Sequence, residues 1–405
     1  MKNARFSTKK LGELATFRNG SAFKPTDWSP KGLVIIRIQN LNGSCNFNYF
    51  DGDLSRCVQV EASDLLFSWS GSRGTSFGAF RWEGESGVLN QHIFKVLPSP
   101  ATNASFLFHL LRYATAALES QAHGGAGLVH IKKSVLTDFK VRFPVDPRDQ
   151  LAMAHILNLA ESVQRSSEKL LAAKRAQKRG LMQQLLTGKL RFPGFTEPWK
   201  TVRLGDVAEI KFSNVNKHSV EGERVVRLCN YMDVFKNRYI NDQMPFMTAT
   251  ATEHEIQKFA LHVGDVAITK DSETPDEIGI PALIDATASD LLLGYHLALL
   301  RPNKKILEPA FLVLLLESDL IRAHFQRSAK GLTRFALSVG AVTSTPIQLP
   351  TLLEQQAIAR LYRNCVIEEG LLLKQRAAFA AQRRGLMEKL LSGEIDIQNP
   401  KETAA

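Results

Sequence analysis

Apolar positions along this chain follow two alternating rhythms. Up to about residue 147, short apolar runs are separated by Gly, Ser, Asn and Asp. Val34-Ile-Ile-Arg-Ile38, Asp64-Leu-Leu-Phe-Ser68 and His92-Ile-Phe-Lys-Val96 predict strands. Residues 106–117, apolar on most faces, predict a partly buried helix. Phe143-Pro144 and Asp146-Pro147 close this α+β block. From Asp149 the rhythm becomes helical, without Gly or Pro until Gly180. Met153, Ile156, Ala160, Val163, Ser167, Leu170, Lys174, Gln177 and Leu181 form a heptad seam, with Leu185 one step beyond. The helix is expected to stop near Gly188, with Pro193 just past it. About 38 residues rising about 1.5 Å each make a rod of about 57 Å.

The same order then recurs. Residues 195–350 form a second α+β block, and a second helix follows Pro350. Ile358, Leu361, Cys365, Glu368, Leu372, Gln375, Phe379, Gln382 and Leu386 trace its seam, with Leu390 beyond. The stretch Lys-Arg-Gly-Leu-Met-Gln-Gln-Leu-Leu-Thr-Gly from Lys178 returns as Arg-Arg-Gly-Leu-Met-Glu-Lys-Leu-Leu-Ser-Gly from Arg383. The two lie about 205 residues apart, far longer than a solenoid unit. Leu11-Gly-Glu-Leu-Ala15 pairs with Leu204-Gly-Asp-Val-Ala208, and Arg37-Ile-Gln-Asn40 with Arg227-Leu-Cys-Asn230. Asp64–Ser68 pairs with 265–269, His92 with His296, and Asp149-Gln150 with Glu354-Gln355. The division read from this is 1–147, helix 148–194, 195–350, helix 351–397 and a tail, 398–405. The expected fold is α+β: two similar domains joined by two long antiparallel coiled-coil helices in a pseudo-two-fold internal repeat. Each soft seam needs a partner stripe, and the other helix is the simplest one.

Composition narrows the function. A net charge of +11 and a pI near 9.5 favour an anionic partner, with nucleic acid the commonest. Cys45, Cys57, Cys229 and Cys365 form no Cys-x-x-Cys pair, so neither a zinc site nor a disulfide framework is indicated. The first ten residues lack the apolar run of a signal peptide, and no segment is long enough to span a bilayer. A reducing cytoplasmic location without membrane contact is expected.

Catalytic motifs are missing. There is no Asn/Asp-Pro-Pro-Tyr/Phe run, no Gly-rich cofactor loop after a strand and no Gly-x-x-x-x-Gly-Lys-Ser/Thr. Pro275-Asp276 has no Asp/Glu-x-Lys within reach to complete a nuclease metal site. His92 and His296 match, but no nucleophile or carboxylate recurs beside both in sequence, so they read as structural. The expectation is a binder without catalytic residues, bound metal or cofactor.

Base reading needs forked donors and acceptors on loops, and phosphate contact needs Lys, Arg and hydroxyls. Ser70–Ser76 supplies Ser72, Arg73 and Thr75, and 124–133 supplies His130 and Lys132. In the second block the matching segments supply Lys270, Ser272 and Thr274, then Lys330, Thr333 and Arg334. Asn19, Ser21 and Lys24 pair loosely with Lys217 and His218. These are the DNA-contact candidates. Met153, Ile156, Leu170, Leu181, Leu185, Ile358, Leu361, Leu372, Leu386 and Leu390 are the candidates for the helix and subunit interface. Flanks agree between the blocks while loops differ, as two readers with different targets would require.

Taken together, Lys178–Phe195, the Leu-Gly-Glu/Asp openings, the Asp/Glu-Gln helix starts and the Arg383–Gly393 run closely resemble specificity (S) subunits of type I restriction–modification systems. The resemblance covers almost the whole chain. It implies two target recognition domains, each reading one half of a bipartite, asymmetric site on double-stranded DNA. It further implies helices that set the gap and dock two methyltransferase (M) subunits, with restriction (R) subunits completing the enzyme. S-adenosylmethionine, ATP and Mg²⁺ would belong to those partners. No base-contacting residue carries over by motif. Two other readings are a stand-alone DNA methyltransferase, opposed by the missing motifs, and a basic coiled-coil scaffold, which has no need of two polar-looped domains.

Overall fold

The computed structural model describes residues 5–124 and 128–395. The Gly-rich positions 125–127 and the tail 398–405 therefore lie outside the described residues. Contacts divide the chain into two units. One comprises residues up to Lys169 with those from Leu373 onward; the other is Leu170–Leu372.

In the first unit, Ala15–Asn19, Ile93–Pro98, Leu65–Ser68 and Gly78–Arg81 form an antiparallel sheet in that order. A second sheet runs Asn48–Phe50, Leu33–Ile36, Gly87–Leu89, Gln59–Val60, its middle pair parallel. Leu65–Ser68 is buried on both faces, which explains its unbroken apolar run. Helix Ala104–Gln121 starts where Asn103 accepts from the Phe106 N–H, a side-chain N-cap. Its Phe106, Leu107, Leu110 and Leu111 share a core with Phe67, Phe77 and Val96. The second unit repeats the plan. Ala208–Phe212, Leu297–Pro302, Val266–Thr269 and Pro281–Ile284 form the first sheet, with Tyr239–Ile240 added at its edge. Met247–Ala251, Arg224–Cys229 and Leu291–Leu293 form the second. One long helix in the first unit is answered by two here, Pro309–Glu317 and Asp319–Ser328. Ser318 separates them and caps the second.

The strand pairing corrects one landmark. Ile36 pairs with Leu89, and Cys229 with Leu293. Arg37 therefore answers Asn230, each standing immediately before a short helix, rather than Arg227. Sequence identity between the Arg-x-x-Asn runs was coincidental by three positions.

Two long helices, Pro147–Leu185 and Leu352–Ser392, each contribute to both units. Each ends in a turn carrying a glycine at positive φ, Gly188 at 69° and Gly393 at 77°, where a Cβ would be strained. In the first unit Met153, Ala154 and Leu157 pack with Leu390 and Leu391. In the second, Lys174 meets Glu368 at 2.7 Å, and Arg175 and Lys178 meet Glu369 at 2.5 and 2.6 Å. Arg191 forks onto the buried Glu354. From the pairs of 174–178 with 368–369 to that of Arg191 with Glu354, numbers rise on one segment as they fall on the other, so within this unit the segments run antiparallel. Lys174, Arg175, Lys178 and Arg191 are thus spent on partners within the protein. Hydrogen bonds from Lys178 and Arg175 hold the Glu369 carboxyl below its ordinary range. That pairing stabilises above the ordinary carboxylate pKa and is lost as pH falls through the lowered value.

The seams differ from the expected ones. On the first helix one buried or half-buried stripe runs through Met153, Leu157, Ala160, Gln164, Ser167, Leu171, Lys174, Lys178, Met182 and Leu185. Leu170, an expected interface residue, is 45% exposed, while its neighbour Leu171 is buried. The second helix shifts the same way, to Ile358, Tyr362, Cys365, Glu369, Leu372, Arg383, Leu386 and Leu390. Both seams step forward by four where three was expected, a rotation that a heptad tolerates because alternate positions are shared. Ile156, Leu181 and Leu361 remain half-buried at the cores.

Candidate nucleic-acid interface

Each unit carries a small two-stranded ribbon beyond its first sheet. In the first unit Ser70–Ser72 pairs with Leu128–His130; in the second Asp271–Ser272 pairs with Phe335–Ala336. The backbone hydrogen bonds of the two ribbons correspond, although the loop before the second strand is one residue longer in the first unit. Ile131 N–H donates to Trp69 O, and Leu337 N–H to Lys270 O. His123 bridges His130 as Lys330 bridges Ala336. Gly124 and Gly331 follow, at φ 148° and 139°. These bonds make Trp69 answer Lys270, Ser70 answer Asp271, and Leu128 answer Arg334. The backbone is the same and the side chains are not.

In the first unit the ribbon adjoins a neutral, amide-rich set. Trp69 Nε1 donates to Asn19 Oδ1 at 2.8 Å, and its ring meets His92 edge-on. Gln91 Nε2 lies 3.1 Å from His92 Nε2, and His92 Nδ1 is buried without a partner among the described residues. Ser21 bridges Asn90 by its backbone, while its hydroxyl donates to Arg56 O. Ser72, Arg73 and Thr75 lie exposed at the ribbon's turn. Arg73 is partly spent there, since Nη1 donates to Glu119 O and the Gly74 N–H to Glu119 Oε1. His130 is exposed on the ribbon, and Lys132 stands exposed before helix Lys133–Asp138. Lys24 is exposed ahead of a short turn, with its N–H on Asp27.

In the second unit the equivalent surface is charged. His296 Nδ1 lies 2.6 Å from Asp271 Oδ1. Arg334 Nε and Nη2 converge on the same oxygen at 3.1 and 2.8 Å, and the guanidinium lies against the imidazole. Lys270 donates to Ser213 O and sits over the Tyr295 and Phe212 rings. Burial lowers its pKa, opposed by Asp271. Ser272 is a correction to the candidate set: it is buried, and its hydroxyl donates to Glu277 Oε2 at 2.6 Å, so it faces inward. Thr274 is exposed, with its N–H turned to Ser272. Lys330 and Thr333 are exposed beside Arg334, whereas Lys217 and His218 sit in the separate loop after Phe212.

The histidines do share a place, but only His296 has a carboxylate beside it. Trp69, Gln91, Asp271 and Tyr295 were missed as members of these sets. Asp271 lies between Lys270 and Ser272, and an acid is no sequence signal for phosphate contact. Its arginine partner is 63 residues away, beyond any local pattern. Among the described residues, no group of three or more His, Cys, Asp or Glu is placed to hold a metal ion, and no helix is long and apolar enough to cross a membrane.

Two α+β units with one backbone plan and different polar ribbons define a duplicated recognition protein. The sequence profile for the type I restriction modification DNA specificity domain matches residues 3–171 and again 196–364. The chain belongs to that family and carries the domain twice. It is 22% identical to the type I restriction enzyme MjaVIII specificity subunit of Methanocaldococcus jannaschii, over 84% of this chain and 81% of that protein. It is 21% identical to the EcoBI specificity subunit of Escherichia coli, over 96% of this chain and 86% of that one. Among solved structures, the S subunit of M. genitalium aligns with a TM-score of 0.56 at 15% identity, covering 96% of this chain and 97% of that one. A chain from a structural study of type I R-M complex assembly aligns at 0.62 and 17% identity, covering 97% and 99%. These two share the fold.

Proposed function

We propose that this chain is the non-catalytic DNA-recognition subunit of a type I restriction–modification complex. Each unit reads one half of a bipartite, asymmetric site on double-stranded DNA. The two long helices set the gap and dock two methyltransferase subunits, and restriction subunits complete the enzyme. S-adenosylmethionine, ATP and Mg²⁺ are held by those partners. The observation that carries this reading is the pair of equivalent ribbons with unlike side chains: Trp69, Ser70 and Leu128 in one, Lys270, Asp271 and Arg334 in the other. A shared scaffold with exchanged donors and acceptors is what reading two different half-sites demands. The positive charge supplies the sequence-independent attraction to phosphate. Leu159 and Leu170 on one helix, and Leu353, Ile367 and Leu371 on the other, stay exposed, which supports a protein partner on the helices. Gly180 and Gly385 sit in helix with open space around them, which a partner's close approach would use.

Deleting the gene from its source cells and mapping methylated bases genome-wide tests this. The expected result is loss of one motif made of two short specified blocks around a fixed unspecified gap. Loss of a single continuous motif, or of none, would overturn the reading.

A further inference from the structure

We infer that Arg334 reads a guanine in the half-site of the second unit, with Asp271 as the positioning residue that aims it. The inference rests on the proposed DNA-recognition role. An exposed arginine ordinarily samples many rotamers, and ordering it costs free energy on binding. Arg334 is held in advance. Its Nε and Nη2 both meet Asp271 Oδ1, which His296 Nδ1 also meets at 2.6 Å. Asp271 and His296 are largely enclosed, with side chains 12% and 25% exposed, whereas the Arg334 side chain is 54% exposed. The bracing is therefore anchored below, and the guanidinium stands at the surface.

The brace takes the Nε side of the guanidinium. Among the described residues nothing takes up Nη1, while Nη2 is shared between Asp271 Oδ1 and the His296 ring, 3.0 Å from Nδ1 and 3.3 Å from Nε2. Once Nη2 turns from the His296 ring on binding, the end of the fork, Nη1 with Nη2, offers two parallel donors while Nε stays on Asp271. Two parallel donors match the O6 and N7 acceptors on the major-groove edge of guanine. Adenine offers one acceptor there beside an amino donor, and thymine and cytosine offer no such pair. A carboxylate behind the arginine also discourages a phosphate from taking its place, because it offsets the local positive charge. In the first unit the equivalent positions are Ser70 and Leu128, so this device belongs to one half-site alone.

The test replaces the gene in its source cells with Arg334→Ala, Arg334→Lys or Asp271→Asn and maps methylated bases in each strain. In the wild type, one half of the gene-dependent motif contains guanine at the position concerned. Arg334→Ala is expected to reduce discrimination at that base pair by about 10- to 100-fold, leaving the other half and the gap unchanged. Arg334→Lys keeps the charge but not the fork, so the same position relaxes while total methylation persists. Asp271→Asn relaxes it partially, a change that loss of a merely structural contact would not confine to one base pair. An unchanged motif in Arg334→Ala, relaxation at a position other than guanine, or uniform weakening of both halves overturns the inference and leaves the bipartite reading standing. A wild-type strain without a gene-dependent bipartite motif overturns that reading, and the inference with it.

Discussion

Leu157→Ala destabilises the first unit by about 3 kcal/mol, while Leu159→Ala, two residues on, changes stability by less than about 0.5 kcal/mol. Leu157 is 1% exposed and packs among Met153, Ala154, Leu390 and Leu391, so truncation removes buried surface and leaves a cavity. Leu159 is 59% exposed and loses little on truncation. The pair separates the observed seam from the one that alternates through Ile156 and Val163. Urea unfolding of the full chain, with Trp28, Trp69 and Trp82 as first-unit reporters, measures both. Equal losses at the two positions would contradict the seam described.

The second large effect is at the helix starts. Gln355 is fully buried. Its Oε1 accepts from the Glu308 N–H at 2.9 Å, and its Nε2 donates to Ile306 O and Pro350 O, both at 2.9 Å. Gln150 makes the same three bonds in the first unit, to the Asn103 N–H, Ala101 O and Pro144 O. One amide thus ties a long helix to the strand before it and to the start of a core helix. Gln355→Leu keeps the volume roughly and strands three buried backbone groups. At about 1–3 kcal/mol for a buried group left unpaired, a loss of about 4 kcal/mol is expected. Gln355→Glu keeps the acceptor but turns a second oxygen on Ile306 O and Pro350 O, so at neutral pH, with a buried charge added, it loses more. Denaturant melts of the two variants check the order, and a Leu variant as stable as the parent would contradict it.

Much of this was legible in the chain, and the residues say why. The Asp/Glu-Gln helix starts stood out because they recur, and both carboxylates and both amides are buried in use: Asp149 on Arg5, Glu354 on Arg191. Strand 65–68 and the helix around 106–117 were readable because full burial forces an apolar run. The seam was readable as a heptad but not in phase, since Gln164, Lys174 and Lys178 at seam positions are polar and give no apolar signal. The three-residue slip at Arg37 arose because two short Arg-x-x-Asn runs look alike while strand register decides equivalence. The candidate reading surface was legible only as polar loops. Its composition comes from pairings across 25, 38, 50 and 63 residues, such as His296 with Asp271 and Trp69 with Asn19, which no local pattern encodes.

The division of labour between the units is tested most directly by duplication. A chain carrying residues 200–349 in place of residues 6–144 as well as in their own position presents the second ribbon twice. Mapping of methylated bases in source cells carrying it is predicted to give a bipartite motif whose halves are the same sequence in inverted orientation, both containing the guanine assigned to Arg334. A motif that retains the original first half would contradict the claim that each unit reads its own half-site.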